Sequence, residues 1–124
     1  MDKKMMWTGR VLSWLSGVFI LTSGINILFV QSPDLVEQFG KFGYPASVIP
    51  LIGWAALLSS VLYLIPKTQV LGAILLTGYL GGAVATHVRI EDPAGFAAVV
   101  TGVFVWLGLW LRDGRLRSLT PLQQ

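Results

Sequence analysis

The sequence predicts an all-α, polytopic membrane protein: four transmembrane helices in an antiparallel bundle, with both termini on the cytoplasmic side. Three observations carry that expectation. Of the 124 residues, 54% are hydrophobic and 12% charged, and the mean hydropathy is +0.70, which leaves too little polar surface for a water-solvated globule of this length. The apolar residues gather into uncharged runs, each close to the roughly 20 residues that cross a bilayer at about 1.5 Å per helical residue. The basic residues lie beside those runs and divide unequally between the two sides.

The first span is expected at 11–30, after a short amphiphilic lead carrying Lys3, Lys4 and Arg10. Its apolar run exceeds the core of a signal peptide and no small-residue cleavage pattern follows, so it reads as an uncleaved helix. Ser16, Ser23 and Asn26 share one face, which should meet other helices because an unpaired amide in hydrocarbon is costly. In the connection that follows, Ser32 suits a cap, Pro33 a first helical position and Asp34 the helix N-terminus, which predicts a short interfacial helix at 33–39 ended by Gly40. Gly43-Tyr44-Pro45 turns the chain back, with Tyr44 as an aromatic anchor at the membrane surface.

The second span is expected at 48–65, with Pro50 in its first turn and Pro66 closing it. Gly53, Ala56, Ser60 and Tyr63 share a face that should meet the third span across the tight turn at 66–69. The third span, 70–89, organises the chain. Ala73, Thr77, Gly81 and Ala85 form one small-residue row and Gly78, Gly82 and Thr86 the next, so helix packing is expected through Gly78, Gly81, Gly82 and Ala85, with Gly53 facing them. That face either packs inside its own bundle or forms a homo-oligomer seam through Gly78 and Gly82. A large residue at Gly82 is expected to disrupt packing either way. The last span is expected at 94–111, with Asp92 capping it, Pro93 starting it, Ala98, Gly102 and Val105 facing inward, and Trp106 and Trp110 forming a belt at the interface.

The net charge of +3 and pI near 9.6 do not point to nucleic acid, because the basic residues form no patch interleaved with exposed aromatics. They read as topology signals. Lys3, Lys4, Arg10, Lys67, Arg112, Arg115 and Arg117 fall on one side and Lys41 and Arg89 on the other, so the positive-inside rule puts both termini in the cytoplasm. No second domain or repeat is visible within 1–124.

Absences narrow the chemistry. With no cysteine, thiol relays, iron–sulfur clusters and Cys-ligated zinc are excluded. The six acidic residues lie in termini and loops, where a proton-coupled transporter would want one inside a span. No charge ring or filter sequence suggests a channel, and no catalytic motif is present.

The run LGAILLTGYLGGAVATHVR at 71–89, together with Gly43-Tyr44-Pro45, Leu62-Tyr63-Leu64-Ile65-Pro66 and Leu109-Trp110-Leu111-Arg112-Asp113, resembles the DoxX-like family of small four-helix membrane proteins. The segment from Gly81 to His87 is the most specific part. The resemblance covers nearly the whole chain and implies an integral protein of a bacterial plasma membrane, in a family named after membrane components associated with thiosulfate:quinone oxidoreductase. Where the family is expected to carry a lysine after the glycine near the outer end of the first helix, this chain has Gly24-Ile25-Asn26, so no role of such a lysine carries over.

Asn26, His87 and Arg89 should lie at similar depth and form the candidate polar cluster for a cofactor. A histidine can exchange a hydrogen bond with a quinone carbonyl and titrates near neutral pH, and an arginine stabilises a developing anion. The structural alternatives are an interfacial or hydrogen-bonded His87, an Arg89 that snorkels or pairs with Glu91 or Asp92, and an Asn26 acting as interhelical glue. A bis-histidine haem would need a second chain, since His87 is the only histidine. Two functions remain: a non-catalytic membrane subunit or interaction protein with a membrane or peripheral protein partner, requiring no cofactor, and a quinone-handling subunit of a redox complex.

Overall fold

The computed structural model describes residues 3–30 and 33–119. Ser32, expected to cap, lies outside them, as does the side chain of Arg117. Helix α1 runs Lys3–Ile25 and continues as a π-helical turn, Asn26–Val30; α2 is Pro33–Lys41, α3 Ile49–Leu64, α4 Gln69–Arg89, α5 Gly95–Arg112 and α6 Gly114–Leu119, with short 3-10 turns at Ala46–Val48 and Pro66–Thr68. Among the described residues there is no strand. Four segments are long and apolar enough to cross a membrane: Lys3–Val30, Ala46–Leu64, Pro66–Arg89 and Gly95–Arg112.

Helices α1 and α4 each pack against both α3 and α5, so the four long helices stand at the corners of a square with α1 diagonal to α4. The two ends of the square differ. One holds the start of α1, the α3–α4 turn and the end of α5, and is here the termini end. The other holds the π turn, α2 and the α4–α5 loop, and is the connector end. Between them Ile20, Ala56, Tyr63, Ala73, Leu76, Leu80, Val105 and Leu109 form the core.

Close backbone approach fixes the termini end. A Cβ on Gly72 would fall 2.2 Å from the Tyr63 nitrogen, and one on Gly9 would fall 2.6 Å from the Gly108 carbonyl. These glycines let α4 meet α3 and α1 meet α5 at distances no larger residue allows. The lead ahead of the expected span is helical as well, since α1 already includes Lys3, and Gly9 docks it on α5.

Of the two expectations for the small-residue face of α4, packing inside its own bundle is corrected. Gly78, Gly81, Gly82 and Ala85 are exposed, and a Cβ on any of the three glycines would meet nothing within 4 Å. The interior is taken instead by Gly72, Ala73, Leu76 and Leu80, spaced for one helical face. Burying two leucines turns the glycines away from the core. Gly53 is buried, yet it meets Ile27 and Leu28 of the first segment rather than α4. On α5 the buried positions are Gly95, Thr101, Val105, Gly108 and Leu109, leaving Ala98 and Gly102 half-buried. Trp106 does more than mark an interface, since its Nε1–H donates to Thr77 Oγ1 at 2.6 Å and ties α5 to α4.

At the connector end both chain reversals are Schellman caps. Helix α2 runs through Gly40 to Lys41 and ends where Gly43 takes φ +91°, with Gly43 N–H on the Gly40 carbonyl and Tyr44 N–H on the Phe39 carbonyl, both at 3.0 Å. Gly40 was expected to end it, but the left-handed residue is Gly43. Helix α4 ends the same way: Glu91 N–H bonds the Val88 carbonyl and Asp92 N–H the His87 carbonyl, which puts Glu91 at φ 58°. The Asp92 carboxylate caps the turn by accepting the Ala94 N–H at 2.9 Å, and α5 proper begins at Gly95 rather than at Pro93.

Candidate binding cavity at the connector end

A cavity of about 760 Å³ opens at the connector end. Its walls come from α1 (Phe19, Thr22, Ser23), the π turn (Asn26, Ile27), α2 (Leu35, Gln38, Phe39), Phe42 and Tyr44, Ile52 of α3, and α4 (Gly78, Tyr79, Gly82, Ala83, Thr86, His87). Two of the exposed glycines of α4, Gly78 and Gly82, therefore form a cavity wall, where the missing side chains leave room. Tyr79 reaches Ser23 on the diagonal helix. The π turn starts at Asn26, and its wider coil places that amide in the cavity wall while Ile27 is buried.

His87 is fixed on three sides. Its Nδ1 lies 2.6 Å from the Ala83 carbonyl; a carbonyl only accepts, so Nδ1 carries the proton and Nε2 is the variable nitrogen. Nε2 stands 4.0 Å from an Asp92 carboxylate oxygen. The ring packs on Phe42 with centroids 4.8 Å apart, and a Cβ on Gly95 would come within 2.9 Å of the His87 Cβ. Phe39 holds Phe42 edge-on at 6.0 Å and leans on Tyr44 at 6.1 Å. The result is an aromatic wall beside one imidazole.

Tyr44, expected as a membrane-surface anchor, shares a 2.9 Å hydrogen bond with Thr86 Oγ1, and Thr86 donates to the Gly82 carbonyl at 2.8 Å. This pair ties the turn after α2 to α4. Arg89 does not join the cavity lining. Its guanidinium donates to the Phe42 carbonyl and lies against Gly43, so it clamps the α2 cap. The acid pairing expected for Arg89 is found instead at His87, with Asp92. Asn26 is exposed in the cavity wall rather than buried as glue between helices. Of the three predicted polar residues, the structure brings His87 and Asn26 to one cavity and leaves Arg89 outside it.

Sequence reasoning missed Phe39, Phe42, Tyr79 and Thr86 as cavity residues. The signal was present in Phe39-Gly40-Lys41-Phe42-Gly43-Tyr44, where three aromatics bracket a glycine able to reverse the chain. A second groove, of about 660 Å³, runs between α4 and α5 and is almost wholly apolar, lined by residues such as Gly81, Val84, Val103, Trp106 and Trp110. Among the described residues no cluster of His, Asp and Glu could hold a metal.

No curated protein and no solved structure matches the chain. The sequence profile of the DoxX-like family matches residues 11–110, which span every wall of the connector-end cavity. The chain therefore belongs to the DoxX-like family.

Proposed function

We propose that this protein is a non-catalytic membrane subunit that holds a quinone-type amphiphile, an apolar molecule with a carbonyl-bearing ring, in the connector-end cavity. The observation that carries this reading is the cavity's division of surface. Aromatic and small residues form most of its wall, and the polar residues Asn26, Gln38 and His87 lie along it beside the hydrogen-bonded Tyr44–Thr86 pair. Small-molecule sites have this composition, with apolar walls giving affinity and a few polar groups fixing orientation.

His87 suits either redox form of such a ring. With Nδ1 held on the Ala83 carbonyl, a neutral His87 accepts a hydroxyl hydrogen bond at Nε2, and a protonated one donates to a carbonyl, with Asp92 beside it as counter-charge. Electron chemistry would reside in a partner. The test is the quinone content of protein purified in native lipid, by mass spectrometry of an organic extract, with wild type and His87→Ala side by side. Quinone enriched over the lipid background in wild type and reduced in a folded variant supports the reading. Background levels in wild type would contradict it and leave the exposed small-residue face of α4 as a docking surface to be mapped by cross-linking.

A further inference from the structure

The geometry points to a second site, for a phosphate-type oxyanion, in a cavity of about 540 Å³ at the termini end. It is lined by Arg10, Ser13, Tyr63, Gln69 and Arg112 among apolar neighbours such as Trp14, and no carboxylate is among the described lining residues. The nearest acid in sequence, Asp113, is engaged by Arg115 at 3.2 Å.

What this cavity offers is donors. Arg112 Nη1 donates to Gln69 Oε1 at 3.2 Å and Nη2 to Ser13 Oγ at 2.9 Å. Both acceptors are neutral, so among the described residues the guanidinium charge has no counter-ion there. Its Nε is buried without an acceptor. With its carbonyl oxygen facing Arg112, Gln69 keeps its amide N–H groups free to donate. Tyr63 donates to the Val105 carbonyl at 2.7 Å and shares a 2.8 Å hydrogen bond with Ser13, so both hydroxyls are turned toward each other and the helix backbone. Gln69 also opens α4, whose N-cap residue Thr68 makes no side-chain cap and donates to the Leu62 carbonyl instead. Two arginines and an amide around one cavity match a tetrahedral oxyanion; the Arg112 guanidinium is held there by Gln69 and Ser13, while that of Arg10 rests over the Trp7 ring, 5.6 Å from its centroid, and would turn from it to meet the anion. A guanidinium N–H buried without an acceptor is costly, and an anion bound beside Arg112 would offset that cost.

The chemistry fits a lipid phosphodiester or a free phosphate, and the test separates them. Delipidated protein in a maltoside detergent is titrated with short-chain phosphatidylglycerol, short-chain phosphatidylcholine and inorganic phosphate, following retention by native mass spectrometry and the thermal midpoint. Wild type, Arg10→Gln, Arg112→Gln and the control Lys67→Gln are compared, Lys67 being an exposed cation of the neighbouring turn outside the cavity. Saturable binding that weakens about tenfold or more in Arg10→Gln, as loss of a charge-assisted hydrogen bond implies, and is unchanged in Lys67→Gln is the expected result. Preference for phosphatidylglycerol assigns the site to a lipid headgroup, and equal response to inorganic phosphate assigns it to a soluble anion. Arg10 makes no hydrogen bond to the Arg112 network, so Arg10→Gln remains informative if Arg112→Gln does not fold. Binding equal in wild type and Arg10→Gln, equally weakened in Lys67→Gln, or absent for all three ligands would overturn the proposal.

Discussion

Two stretches of α4, the one at Gly72 and the one from Gly78 to Gly82, put glycine to opposite uses. At the termini end Gly9, Gly72 and Gly108 sit where a Cβ would strike a neighbouring helix, and they close the bundle. Further along the same helix α4, Gly78 and Gly82 face empty space and open it. The difference shows that a small residue in a membrane helix has no fixed meaning. What decides it is whether the larger residues of its turn face the core, as Leu76 and Leu80 do.

That contrast can be broken most severely at Gly72. Gly72→Ala must drive α4 off the α3 backbone at Tyr63, and we expect a loss of about 3 kcal/mol or more, as overpacking of a tight core does, read by thermal unfolding in detergent. Gly82→Ala in the same assay should be neutral or stabilising by up to about 1 kcal/mol, since it adds helix propensity and meets no neighbour. Equal losses at the two positions would erase the distinction.

The caps sharpen the comparison within the connector end. Gly43→Ala is expected to lower stability by about 1–2 kcal/mol, the cost of a left-handed residue with a Cβ, and to press on Arg89, whose guanidinium lies 3.0 Å from the added atom. Glu91→Gly should act oppositely, raising stability by about 1 kcal/mol, because Glu91 already bears that cost at φ 58°. Tyr63→Phe at the termini end removes the hydroxyl between Ser13 and the Val105 carbonyl and should cost about 1 kcal/mol, the usual worth of an interhelical hydrogen bond.

The smallest effect is at Asp113, just beyond α5. The hydrogen bond from the Arg115 side chain holds its carboxyl below the usual carboxylate range, against a weaker opposing effect of burial. Its folded value thus lies below the unfolded one. The stabilisation is fully present above about pH 4, the ordinary carboxylate value, and is lost as pH falls through the folded value. Asp113→Asn should flatten a shallow acid-side decline in the thermal midpoint without changing ligand binding.

Much of the fold was legible because apolar runs and prolines mark spans locally. Residues 48–65 and 70–89 become α3 and α4 within a residue, bounded by Pro50 and Pro66. Helix rotation was not legible, since a pattern of small residues does not say whether they face a neighbour or a cavity. Nor was the Ser13–Tyr63–Arg112 network, whose members lie 50 and 99 positions apart and meet only after the bundle closes. His87 and Asn26 could be nominated as polar residues at similar depth. Arg89 could not be separated from them, because its partner is the Phe42 backbone carbonyl, which carries no residue-specific signal.

The most direct test of the central claim, that the open end of the bundle holds an amphiphile, compares two adjacent glycines. Gly82 lines the connector-end cavity and Gly81 the α4–α5 groove, and neither has a neighbour for an added Cβ. Gly82→Leu and Gly81→Leu are purified in native lipid and their quinone content measured beside wild type. Both variants should remain folded, with quinone lost from Gly82→Leu and kept by Gly81→Leu. Quinone retained at the wild-type level in Gly82→Leu would contradict the account.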